Sequence, residues 1–139
     1  FCSFDKKYIR NRIRKSFKKK KIKIIKDTIQ IKVFDSLNIK CKPKFIKIDV
    51  EGFDYEVIKG MMNTIKKYKP IILVEFNKNN FFKIKKILKN YNSWVYFYEQ
   101  NTFQSFNKKM IDKSVARTTK SNLMSVRNIF FIPKNHKWI

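Results

Sequence analysis

Residues 45–60 read Phe-Ile-Lys-Ile-Asp-Val-Glu-Gly-Phe-Asp-Tyr-Glu-Val-Ile-Lys-Gly. The chain of 139 residues has 10 acidic residues, and four of them, Asp49, Glu51, Asp54 and Glu56, fall in this stretch. Its 2 glycines, Gly52 and Gly60, fall here too, in a protein that carries 34 Lys and Arg. An apolar run stops at Asp49, Glu51 and Gly52, and helical spacing begins. That pattern is a strand turning into a helix, with carboxylates at the carboxyl end of the strand. Open α/β sheets bind their ligands at that edge.

Working outward, Ile46 and Ile48 point to one face of the strand and Lys47 and Asp49 to the other, because side chains alternate. Tyr55, Ile58, Met61, Met62, Ile65 and Tyr68 recur at three- and four-residue steps and predict a helix over 54–68. Lys66 and Lys67 suit the negative end of its dipole, and Pro70 stops it. Residues 71–76 predict a second buried strand, again carrying a carboxylate at its end, Glu75. Asn77 to Asn80 offer caps for a helix over 79–91, whose buried stripe is Phe81, Ile84, Ile87, Leu88 and Tyr91. A third strand is expected around 94–98 and a closing one over 128–132, before Pro133. Upstream, Thr28 to Phe34 alternates as a half-exposed strand does, and Ile22, Ile24 and Ile25 form a short strand-like run. Ile9, Ile13 and Phe17 place a basic amphipathic helix over 5–17. Strand, helix, strand, helix, strand is the order of a parallel α/β sheet. The expected layout is one partial domain, with a basic arm at 1–26, an α/β core at 27–101, an irregular polar segment at 102–127 and the closing strand at 128–139.

The composition narrows the function. The net charge is +24 and the isoelectric point lies near 10. Residues 1–44 hold 16 basic against 3 acidic residues, a net +13. Such a patch suits nucleic acid or an anionic glycan, with Tyr8 and Phe17 placed to stack on bases. The counterweight is that Lys, Ile, Asn and Phe are all abundant, while Gly, Pro, Ala and Arg are scarce. A/T-rich codons alone produce that profile. No apolar run is long enough to span a bilayer. Cys2 and Cys41 have no paired spacing and His136 stands alone, so neither a zinc site nor a disulfide framework is expected. Free thiols fit a reducing compartment, and the cytoplasm is the expected location. The chain begins at Phe1 rather than Met, so its natural start is expected to lie upstream.

Each acid has a structural and a functional reading. Asp49 either pairs with Lys47 across one pleat or serves a ligand at the strand end. Glu51 either answers the helix dipole or holds a ligand. Asp54 and Glu56 read as first-turn helix acids. Glu75 either neutralises a lysine or shares the site. Oxygen ligands from Asp49, Glu51 and Glu75 would suit magnesium, but no metal is assigned.

The string Lys44-Phe-Ile-Lys-Ile-Asp-Val-Glu-Gly-Phe-Asp54, then Val57-Ile-Lys-Gly60, then Lys67-Tyr-Lys-Pro-Ile-Ile-Leu-Val-Glu-Phe76 resembles the FkbM-type methyltransferases. Val33-Phe-Asp-Ser-Leu37 is similar to that family's segment before the acidic motif, and Asn128 to Pro133 to its closing strand. The resemblance implies a class I, Rossmann-like sheet, mainly parallel with an antiparallel closing strand. It implies S-adenosylmethionine as cofactor and methylation of a hydroxyl on a sugar, glycolipid or secondary metabolite. Methyl transfer to a hydroxyl needs the nucleophile held in line and its proton removed. Asp49, Glu51 and Glu75 are the candidates for base or acceptor orienter, and Asn77 and Lys47 for contacts to the acceptor. One departure stands out: the family's glycine-rich cofactor turn is missing, so no cofactor-binding residue is assigned. The resemblance then implies that the first three strands lie upstream and that this is the carboxyl-terminal part of the domain. Two other readings remain open, a basic binding module acting through residues 6–26 and an inactive remnant.

Overall fold

In the computed structural model the described residues are 11, 28–97, 100–107, 110 and 126–137. The expected helix over 5–17, the run at 22–25 and the basic arm at 1–26 lie outside them, Asn11 apart. The chain divides into two compact units, Phe1–Lys32 and Val33–Ile139. The described strands and helices all belong to the second unit.

Alternating apolar residues build the sheet. Strand β1 spans Phe45–Ile48, β2 Ile71–Glu75, β3 Tyr91–Phe97, β4 Thr102–Ser105 and β5 Asn128–Pro133. Three helices connect them: α1 Asp54–Gly60, α2 Met62–Tyr68 and α3 Lys78–Ile87. The strand order is β1-β2-β5-β3-β4. β1 and β2 are parallel neighbours, Ile48 facing Val74. β5 enters between β2 and β3 and runs antiparallel to both.

The expectation of a mainly parallel sheet therefore needs correcting, because the sheet is mixed and, among the described strands, only the β1·β2 pairing is parallel. The reason is topological. β1, β2 and β3 all point the same way, as helical crossovers require, but the inverted β5 separates β2 from β3.

One sheet face carries Ile48, Ile72, Val74, Val95, Ile129 and Phe131, all buried. Ile58, Ile65, Phe81, Ile84 and Leu88 of the helical layer join them in a single core. Phe81 and Phe131 stand 6.0 Å apart between ring centroids, fixing α3 on this face. Each fully buried residue of this kind contributes about 1.5–3 kcal/mol relative to exposure.

Four local expectations are also corrected. Residues 28–33 form no strand, and Ile29, Ile31 and Val33 are exposed. Alternation is a local property, whereas a strand exists only as part of a hydrogen-bonded ladder. The helix expected over 54–68 is two helices broken at Met61. Its break has a remote cause: the Asp35 carboxylate accepts the Asn63 and Thr64 backbone N–H groups at 2.7 and 3.1 Å. In an unbroken helix those amides would bond to carbonyls four residues back. The helix expected to run to 91 stops at Ile87, and Tyr91 opens β3 opposite Pro133. Finally, Thr102–Ser105, in the segment expected to be irregular, forms β4 against Trp94–Phe97. The next residue, Phe106, is buried and accepts the Ser93 hydroxyl at its carbonyl, 3.0 Å away.

Candidate functional site at the carboxyl edge of the sheet

The parallel register sets the site. Ile48 faces Val74, so the next residues, Asp49 and Glu75, emerge at the same edge on neighbouring strands. Both are exposed, as is Glu51. The turn from β1 into α1 closes with the Phe53 N–H donating to the Val50 carbonyl at 3.3 Å. Its two central residues are left-handed, Glu51 at φ +50° and Gly52 at φ +99°. Glycine accepts such a backbone freely, whereas a residue with a side chain is rarely found there. Glu51 is therefore held in a sparsely populated backbone conformation at the tip of the turn. Such outliers gather at functional sites.

Asp49 forms an ion pair with Lys47 at 3.1 Å, with 55% of the Asp49 side chain and 60% of the Lys47 side chain exposed. A pair this exposed contributes about 0–1 kcal/mol. The pairing holds the carboxylate on the sheet edge without burying it. Asn77 accepts the Asn79 and Asn80 amides at 3.0 and 3.3 Å and so caps α3. Its side-chain oxygen thus serves the helix, and its place two residues beyond Glu75 keeps it at the same edge.

Two residues that sequence spacing treats as ordinary matter most beneath this edge. Asp54 is 1% exposed, and its Oδ1 has no hydrogen-bond partner. Burial pushes its carboxyl above the ordinary range, and the nearby charge of Asp49 pushes the same way. Hydrogen bonding from its own amide, from Asn80 and from the Gly52 backbone opposes the shift without cancelling it. Asn80 is also buried and donates its side-chain N–H to the Gly52 carbonyl at 2.6 Å, tying α3 to the turn. The signal for Asp54 was present: steps of four, three and four residues put Asp54, Ile58, Met61 and Ile65 on one helical stripe. Asn80 had no comparable signal, because its partner lies 28 residues away.

The structure thus brings Asp49, Glu51, Glu75 and Asn77 to one edge, with Lys47 tied to Asp49 and Asp54 beneath the turn. Among the described residues no group of His, Cys, Asp and Glu side chains is arranged to hold a metal ion. None of the described helices is long and apolar enough to cross a membrane. Cys41 is a free, exposed thiol, and Cys2 lies outside the described residues.

A five-stranded mixed sheet with helices between its parallel strands defines an α/β domain. This chain belongs to the methyltransferase FkbM domain family, whose family model matches residues 4–113. No curated protein and no solved structure matches it significantly.

The fit to S-adenosylmethionine, the usual methyl donor of this family, turns on backbone that a cofactor can approach closely. A Cβ placed at Gly52 would meet nothing within 4 Å, and one at Gly60 would meet the Val33 side chain at 3.5 Å. The first glycine serves turn geometry and the second sits against the Val33–Phe34 segment. Neither forms a cradle, so the described residues do not fit the cofactor by themselves.

Proposed function

We propose that this chain supplies the acceptor side of an O-methyltransferase that uses S-adenosylmethionine and acts on a hydroxyl of a sugar, glycolipid or secondary metabolite. The observation that carries the reading is that Asp49 and Glu75 directly follow the paired Ile48 and Val74, and so leave the sheet at one edge, inside the region that matches the family. The acceptor is a small molecule or glycan, and the cofactor is held chiefly by residues other than those described.

Asp49 orients the acceptor hydroxyl and takes its proton, a role worth about 10²–10⁴-fold in rate. Its exposure leaves one carboxylate oxygen open to an acceptor while Lys47 holds the other at 3.1 Å. Glu51 and Glu75 flank it and accept hydrogen bonds from neighbouring hydroxyls of a polyol. Lys47 and Asn77 contact the acceptor from the sides. Asp54, under the turn, sets the local charge and holds the Glu51–Gly52 backbone in place.

The test uses the product of the complete open reading frame with methyl-labelled S-adenosylmethionine and a panel of sugars, glycolipids and phenolic or polyketide alcohols. The reading expects label on an acceptor oxygen. Label found only on nitrogen or carbon would contradict it.

A further inference from the structure

The turn that carries Glu51 lies between β1 and α1 and belongs to neither. Glu75 is placed differently: it sits in the sheet ladder, opposite Asn128 of β5. The position of Glu51 therefore depends on what holds the turn. The turn's own backbone gives little help. Glu51 and Gly52 are consecutive left-handed residues, at φ +50° and +99°. The bond that closes the turn, from the Phe53 N–H to the Val50 carbonyl, is long at 3.3 Å. A sparsely populated backbone persists only where its surroundings over-determine it.

The surroundings supply a clamp from 28 residues along the chain. Asn80 lies near the start of α3 and is the polar member of its buried stripe, beside Phe81 and Ile84. An amide on such a stripe lowers stability unless it is hydrogen-bonded. Asn80 donates its side-chain N–H to the Gly52 carbonyl at 2.6 Å, and its backbone N–H donates to the Asn77 side-chain oxygen at 3.3 Å. One residue thus joins the cap of α3 to the turn that bears Glu51. Packing does not call for asparagine at a helical position beside Phe81. Alanine and leucine are better helix formers and bring no polar group to satisfy. The bond to Gly52 is what the amide adds.

We propose that Asn80 is a positioning residue for the methyl acceptor, acting through the Gly52 carbonyl to hold Glu51 at a fixed place relative to Glu75. It touches no substrate. It keeps two carboxylates, one on a turn and one in a ladder, in constant relation, so that both accept hydrogen bonds from one polyol. Without the clamp the turn samples other conformations and the acceptor binds less tightly, while proton removal at Asp49 continues. The inference rests on the acceptor role given to Glu51 above.

The test uses the product of the complete open reading frame, with Asn80→Ala, Glu51→Gln and Glu75→Gln as single variants and Asn80→Ala combined with each of the other two. Asn80→Ala should lower kcat/KM for the acceptor by about 10–10²-fold, the loss of a hydrogen bond to a charged group, through KM rather than kcat. Combined with Glu51→Gln it should lower kcat/KM little beyond either single variant, whereas with Glu75→Gln the losses should multiply. Hydrogen exchange at residues 50–53 should quicken in Asn80→Ala while the strands stay protected. Asn80→Ser, whose hydroxyl falls one bond short of the carbonyl, gives the same readings if Asn80→Ala does not fold. Unchanged exchange at the turn would overturn the inference. So would losses that multiply with Glu51→Gln, or a normal kcat/KM in folded Asn80→Ala while Glu51→Gln is impaired; these outcomes leave the acceptor role of Glu51 standing. A normal kcat/KM in Glu51→Gln itself would remove that role and overturn the inference with it.

Discussion

Asp35 caps a helix that begins 27 residues further along the chain: the Thr64 hydroxyl donates to its Oδ1 at 2.6 Å, and the Thr64 backbone N–H donates to the same atom at 3.1 Å. With the Asn63 amide on Oδ2 at 2.7 Å, one carboxylate does for α2 what a neighbouring N-cap side chain does elsewhere. It also joins the segment before β1 to the helical layer.

Asp35→Ala should lower stability by about 0.5–2 kcal/mol, the usual worth of a helix cap. Burial alone would raise the Asp35 carboxyl, but the hydrogen bonds from Thr64 and Asn63 outweigh it and hold the pKa below its ordinary 3.8. The folded chain therefore binds this proton less tightly than the unfolded chain does. The stabilisation is complete above the ordinary value and is lost as the pH falls through the lowered one. Denaturant midpoints of the parent and Asp35→Ala should accordingly converge only in strong acid. A constant difference down to that limit would show the cap acts without its charge.

Asp54 has the opposite sign. Its carboxyl is raised by burial above 3.8, so the folded chain holds the proton more tightly than the unfolded chain. The cost of the buried charge is absent below the ordinary value and grows as the pH rises through the raised folded value. Asp54→Asn should therefore gain stability relative to the parent as the pH rises from about 4 to about 7. Thermal midpoints across that interval measure it. A difference that does not change with pH would mean that Asp54 titrates normally.

Glu51 separates strain from chemistry. Glu51→Gly relieves a left-handed backbone at φ +50° and should raise stability, by about 1 kcal/mol. The same change removes a carboxylate from the acidic edge and should lower methyl-transfer turnover in the complete enzyme. Gly52→Ala should do the reverse to stability. Its Cβ meets nothing within 4 Å, so the penalty arises from the φ of +99° alone. Chemical denaturation of both variants settles the pair, and a destabilised Glu51→Gly would show that the Glu51 side chain holds the turn.

The 139-residue chain should bind S-adenosylmethionine weakly or not at all, since neither of its 2 glycines forms a cofactor cradle. Titration calorimetry showing tight, stoichiometric binding would contradict this.

Much of this architecture was legible where local pattern and local structure coincide. The runs at 45–48 and 71–75 are strands because alternating Ile and Val bury one face. The Asn77 cap is visible because its partners lie two and three residues away. What the pattern could not show depends on distant partners. The break at Met61 comes from Asp35, and β4 exists because Thr102–Ser105 finds the open side of β3. The insertion of β5 between β2 and β3 is likewise a choice among neighbours that no window of residues contains. At the site, Asp49, Glu51 and Glu75 were readable as acids at strand ends. The burial of Asp54 was readable only as an acid on an apolar stripe, a pattern that first-turn helix acids also produce.

Asp49→Asn in the product of the complete open reading frame is the most direct test of the proposed site. The substitution keeps the shape and removes the charge. If Asp49 orients and deprotonates the acceptor, turnover should fall by about 10²–10⁴-fold. Affinity for S-adenosylmethionine should change far less, and the thermal midpoint should hold, because an exposed pair with Lys47 contributes about 0–1 kcal/mol. Measured on the same preparation, near-normal turnover in the folded variant would contradict the account and remove Asp49 from the chemistry.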